Sequence, residues 1–125
     1  MTHHRLRPTS LAAALVATAL LAVAAACGQV AQAQAATTCK PPSRYPSSGY
    51  FTSLTVSGTS CTTGRKLTLA YYRCRTKNGR AGTCRTRVLR YRCTEKRNRI
   101  PTEINARVTC KRGSRTIVHT YQQNT

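Results

Sequence analysis

The run Cys61–Cys74, Cys-Thr-Thr-Gly-Arg-Lys-Leu-Thr-Leu-Ala-Tyr-Tyr-Arg-Cys, decides how the chain is read. Leu67, Ala70, Tyr71 and Cys74 recur at i, i+3, i+4 and i+7, which gathers them into one stripe on a helix. Thr62 or Thr63 can act as N-cap, accepting a hydrogen bond from a free N–H of the first turn. Arg73, Arg75 and Lys77 stand at the far end, where cations meet the negative pole of the helix dipole. Gly64 lowers helix propensity near the start. A cysteine at each end allows this amphipathic helix to be clamped to two other parts of the fold.

On the N-terminal side, Tyr50–Gly58 alternates Leu54 and Val56 with Thr and Ser, the pattern of a short strand, and Gly58-Thr59-Ser60 turns the chain into the helix. Residues 37–49 are rich in Pro and Ser, have no period, and read as an irregular arm anchored through Cys39. On the C-terminal side, Thr76–Cys84 is a glycine-bearing loop that closes a small ring, so Cys74 and Cys84 are expected to pair. Arg87–Cys93 alternates again, with Leu89, Tyr91 and Cys93 facing one way and Val88, Arg90 and Arg92 the other. Thr94–Thr102 is polar, contains Pro101, and reads as a surface connection.

Ile104–Tyr121 carries the clearest hairpin. Ile104, Ala106, Val108 and Cys110 alternate with polar residues, and Arg112-Gly113 or Gly113-Ser114 supplies the turn. Either register sets Ala106 and Val108 on one face with Ile117, His119 and Tyr121, and turns Arg107, Thr109, Lys111 and Thr116 to the other. The expected fold is α+β: one amphipathic helix packed on a small antiparallel sheet of three to four strands, stapled by disulfides. One sheet face is buried against the helix. The other is a basic, solvent-facing surface carrying Arg90, Arg92, Arg107 and Lys111.

Upstream of the domain (residues 50–125) and the arm, residues 1–36 have the order of a secretory signal peptide. His3, His4, Arg5 and Arg7 form the positive segment, and Leu11–Ala26 is an uncharged run of 16 residues, short of the ~20 needed to span a bilayer. The repeated Ala-Gln-Ala sites at 31–35 suit cleavage. Ala24-Ala25-Ala26-Cys27-Gly28 resembles a bacterial lipoprotein box, which makes Cys27 a candidate lipid anchor. An exported or extracytoplasmic location is expected either way.

Six cysteines then remain: Cys39, Cys61, Cys74, Cys84, Cys93 and Cys110. An even count in a short exported chain points to three disulfides. Among Cys39, Cys61, Cys93 and Cys110 three connectivities are open, and a bond from Cys61 to Cys110 or Cys93, with Cys39 taking the other, would tie the helix start to the sheet. No Cys-x-x-Cys occurs and His119 is the single histidine after the leader, which argues against zinc; no metal or cofactor is expected.

Loss of the leader takes Arg5 and Arg7 from the 21 basic residues, leaving 19 against Glu95 and Glu103, a net charge of +17. Two acids against nineteen bases exceed what solubility requires. Such a field attracts polyanions, and the expected partner is an anionic polymer or surface: a wall polymer, lipid headgroups or nucleic acid, held without base specificity by a monomeric chain. An enzymatic alternative is a small secreted hydrolase of the microbial ribonuclease type, with Glu95 or Glu103 as base, His119 as acid and Arg107 holding the phosphate. That chemistry requires the Glu and His on opposite sides of one scissile phosphate, each within hydrogen-bond reach. The competing structural role packs His119 beside the helix and leaves the glutamates to neutralise arginines. No triad or glycine-rich phosphate loop is present.

The order Val56-Ser57-Gly58-Thr59-Ser60-Cys61, a helix opening Thr-Thr-Gly-Arg, the Tyr91-Arg92-Cys93 strand and the Val108-Thr109-Cys110-Lys111-Arg112-Gly113 hairpin resembles that of small secreted, disulfide-stapled actinobacterial domains of unknown function. The resemblance covers most of the chain after the leader. It implies a fold and a compartment, and no chemistry.

Overall fold

The computed structural model describes residues 34–125; the leader reading, apart from its last three residues, and Cys27 lie outside the described residues. The elements are β1 (Thr37–Cys39), β2 (Gly49–Ser57), α1 (Cys61–Thr76), β3 (Arg92–Ile100), β4 (Glu103–Arg112) and β5 (Arg115–Asn124). All pairings are antiparallel, and the sheet order is β1-β2-β5-β4-β3. One helix therefore packs on an antiparallel sheet of five strands, where three to four were expected.

One difference enlarges the sheet and a second moves one of its strands. Thr37–Cys39, read as part of the arm, pairs with Leu54–Val56 and forms an edge strand. The strand expected over Arg87–Cys93 begins instead at Arg92 and runs through the segment read as a polar connection, to Ile100. Before it, Val88 and Tyr91 bond to each other's backbone at 3.0 and 2.8 Å around a tight turn. Leu89 and Arg90, its two central residues, both have positive φ, 47° and 68°. Val88 and Tyr91 are buried and Leu89 is exposed, so the expected parity is reversed at Val88 and Leu89.

Ser60, in place of Thr62 or Thr63, caps α1, its hydroxyl accepting from the Thr63 N–H at 3.2 Å. The buried stripe is Gly64, Leu67, Thr68, Tyr71 and Arg75, rotated from the expected one so that Ala70 and Cys74 lie at its margin. Gly64 fits for a steric reason: a Cβ there would lie 2.8 Å from Val56 Cγ1 and 3.3 Å from Leu54 Cδ2, so its lack of a side chain lets the helix approach β2 closely.

The hairpin holds the expected parity. Ala106, Val108 and Cys110 face Tyr121, His119 and Ile117 in the register set by the Gly113–Ser114 turn, with Gly113 at φ 55°. One cross-strand row on the helix side runs Cys39–Leu54–His119–Val108–Glu95, spanning all five strands. Fully buried Leu54, Leu67, Ile104, Val108 and Ile117 form the apolar heart, each contributing roughly 1.5–3 kcal/mol by leaving water.

The disulfides are Cys39–Cys61, Cys74–Cys84 and Cys93–Cys110. Cys74–Cys84 is the expected ring. The expected link from Cys61 to Cys93 or Cys110 is replaced: Cys61 ties the helix start to β1, and Cys93 bonds Cys110, its direct partner in the β3–β4 ladder. Each bridge closes on the next cysteine in sequence, so the loops do not overlap. Closed loops of 22, 10 and 17 residues are each worth about 3 kcal/mol in the chain-entropy account.

Candidate cationic face and the buried polar cluster

Sheet parity sorts the chemistry-bearing residues into two sets. On the outer face, away from the helix, Arg92 lies directly opposite Lys111 and Lys96 directly opposite Arg107, and all four are exposed. Like charges facing each other across a ladder are destabilising, yet no carboxylate stands beside either pair. The pairs are four residues apart along β3, about 13 Å at strand spacing. Of the four residues predicted for polyanion binding, Arg92, Arg107 and Lys111 are on this face. Arg90 is in the turn before β3, not in a strand, and lines a depression together with Arg92 and Lys111.

Hydroxyls and amides lie beside the cations. The β2–β5 register shifts between Phe51 and Ser53, a bulge that exposes both Thr52 and Ser53 next to Thr120. Ser53 Oγ and Thr120 Oγ1 are 2.6 Å apart, and Thr52 bonds the same hydroxyl. Thr52, Lys96, Asn98, Asn105, Arg107 and Thr120 line an open groove of about 540 Å³. The sequence does not place Lys96 on this face, because β3 alternates charged with polar residues and offers no apolar period, and the hydroxyls of β2 and β5 come together only through the bulge.

The inner face holds the other set. His119 is 1 % exposed, its ring edge-on to Tyr71 at 5.6 Å and to Phe51 at 6.3 Å. Its Nδ1 is buried without a hydrogen-bond partner. Burial lowers its pKa to about 4, and Arg75 adds to the effect while Glu95 opposes it. Glu95 accepts hydrogen bonds from the hydroxyls of Tyr71 and Tyr121, the latter at 2.7 Å, and pairs with Arg97. Burial alone would raise the Glu95 carboxyl; the Arg97 hydrogen bond and the two hydroxyls outweigh it and hold the pKa below its ordinary value. The tyrosines are pushed upward, by burial first and then by the carboxylate that their hydroxyls bond.

A second buried cation, Arg75, completes this cluster. Its guanidinium stacks over Tyr121 at 4.5 Å and Tyr72 at 5.1 Å, and donates to Arg80 O at 2.8 Å, to Tyr45 Oη at 2.6 Å and to Gln123 Oε1. The Tyr45 hydroxyl is pushed up to about 12 by burial, with Arg75 opposing. Arg97 donates to Ala81 O at 2.8 Å and to Gly82 O. Two arginines from α1 and β3 thus hold the 77–84 loop through its carbonyls. In the sequence Arg75 reads only as a dipole partner at the helix end, since its position on the buried stripe shows only once the stripe is set by Gly64.

The hydrolase residues are therefore divided. Glu95 and His119 share the inner face with Val108 between them in the row, Arg107 points outward, and Glu103 is on the outer face, held by Asn105 Nδ2 at 2.8 Å and by Gln122. The sheet stands between His119 and Arg107. Among the described residues, His119, a glutamate and an arginine do not open together into one cleft.

No described helix is long and apolar enough to cross a membrane. No protein-family model, curated protein or solved structure matches the chain.

Proposed function

We propose that this is a non-enzymatic binding domain that works outside the cytoplasm and holds an anionic polymer against the outer face of its sheet. The observation that carries the reading is the direct facing of Arg92 with Lys111 and of Lys96 with Arg107. Two like-charge pairs cost stability in the free protein, and a polymer bearing phosphate or sulfate groups relieves that cost on binding. Glu95 is taken up under the helix, and Glu103, on the outer face, is engaged by the amides of Asn105 and Gln122 and pairs with no cation among the described residues. The Thr and Asn side chains in the groove suit a hydroxyl-rich backbone, such as a polyol or sugar chain bearing anions. Bases would find little to stack on, since among the described residues Tyr50 is the only aromatic side chain among the exposed large hydrophobics. Three disulfides support an oxidising compartment, and the proposal extends to kinship with the exported actinobacterial domains whose motif order the chain resembles.

Retention on a sulfated polysaccharide and on polyphosphate, measured across a salt series, tests the reading. Affinity should fall linearly with salt on logarithmic axes, and Lys96→Gln/Arg107→Gln should reduce the slope by roughly 2. Absence of retention at low salt, or retention indifferent to salt, would sink it.

A further inference from the structure

At one end of the cationic face, the strained turn before β3 meets the hairpin end of β4. Arg87, Arg90, Arg92, Lys111 and Arg112 line a depression of about 320 Å³ there, with Gly113 as its only uncharged wall. Arg87 and Arg92 also border the neighbouring depression, beside Arg85 and Thr86. Neither lining includes a carboxylate.

The turn that presents Arg90 is unusual in its own right. A two-residue connection with both central φ angles positive normally takes Asn-Gly or Gly-Gly. Here it is occupied by Leu89 and Arg90, at φ 47° and 68°. A bulky residue in the left-handed region brings its Cβ too close to the following carbonyl, and Leu89 recovers little of that strain by packing, since it is 53 % exposed. The turn is nevertheless closed by two backbone hydrogen bonds between the buried residues Val88 and Tyr91. Such strain, retained where surrounding structure over-determines it, is a mark of functional positions. What it accomplishes here is to bring Arg90 into the same depression as Arg92.

We infer that this depression is a discrete site for a tetrahedral dianion, a sulfate or phosphate ester group, with Arg90 and Arg92 supplying forked N–H donors and Lys111 a point charge. Guanidinium groups match the geometry of phosphate and sulfate oxygens two at a time. The site shares Arg92 and Lys111 with the polymer-binding face but requires only a single anionic group, so the two readings can fail separately. It also provides a fixed point where a chain end or branch bearing such a group would be held.

The test is an NMR titration of the oxidised protein with sodium sulfate, inorganic phosphate and glycerol phosphate, at constant ionic strength set with chloride. Saturable shifts should concentrate at residues 87–92 and 111–113. Arg90→Asn removes the charge but keeps a residue tolerated at positive φ, and should weaken binding about tenfold. Arg44→Gln, which removes the same charge beside Arg65 and Lys66, should leave it unchanged. A preference for the two phosphates over sulfate, or the reverse, identifies the ester class. Shifts that rise linearly and spread over all basic residues overturn the site, as does equal weakening by Arg90→Asn and Arg44→Gln. Binding to anionic phospholipid vesicles with no response to any of the three small anions also overturns it, in favour of membrane contact through Leu89. If polymer retention fails while the saturable shifts persist, the proposed function falls and this site stands.

Discussion

His119 shows what a single residue in this fold costs and contributes. An imidazole sealed between Phe51 and Tyr71 is neutral in the native protein but free to take a proton when the chain unfolds. Its folded pKa, about 4, lies below the ordinary 6.5, so the native state binds fewer protons in that interval. Stability should therefore be complete above pH 6.5 and fall as the pH drops toward 4, by about 3 kcal/mol. Glu95 adds a separate loss at lower pH: its carboxyl is held below the ordinary 4.5, and that contribution disappears as pH falls through the folded value. Urea unfolding from pH 7 to pH 4 should show the first loss in the wild type and a flattened limb in His119→Leu. An unchanged limb in the variant would mean that the histidine is not the group responsible.

At the scale of elements, the Cys39–Cys61 bridge is the tie between a three-residue edge strand and the start of the helix. Cys39→Ser/Cys61→Ser should lower stability by about 3 kcal/mol. It should also release β1 and the 40–48 segment first, visible as amide exchange in Thr37–Ser48 that outpaces exchange in β4 and β5. Equal protection of β1 with and without the bridge would assign the edge strand to its ladder alone. The elements legible in sequence were those whose apolar residues recur locally: α1, the first strand pattern within β2, the β4–β5 hairpin, and the Cys74–Cys84 ring. β3 was displaced because its inward positions are Cys93, Glu95, Arg97 and Arg99. A strand that presents an ion pair to tyrosine hydroxyls has no hydrophobic period to detect. β1 is too short for any period, and its disulfide partner depends on a long-range pairing that no local pattern encodes. Of the outer-face cations, Arg107 and Lys111 were legible from hairpin parity and Arg92 from the alternation over Arg87–Cys93, whereas Lys96 required the true register of β3; Arg90, expected on the same face, reaches its depression through a positive-φ turn for which Leu and Arg give no warning.

For the whole molecule, the excess of bases over acids acts as a self-repulsion that folding must overcome. Thermal unfolding of the oxidised domain should move upward by several degrees as sodium chloride rises from ~10 mM to ~0.5 M, because screening shortens the reach of each charge from about 30 Å to a few ångströms. A midpoint that stays fixed or falls would show that the cations are already neutralised within the fold. The order of the disulfides has a consequence for how such a chain matures. The six cysteines among the described residues can combine in 15 ways, but here each finds its mate in the next of them to emerge, 39 with 61, 74 with 84, 93 with 110. A polypeptide threaded from its N-terminal end past an oxidant can thus seal these six pair by pair, none of them left waiting while a later pair forms.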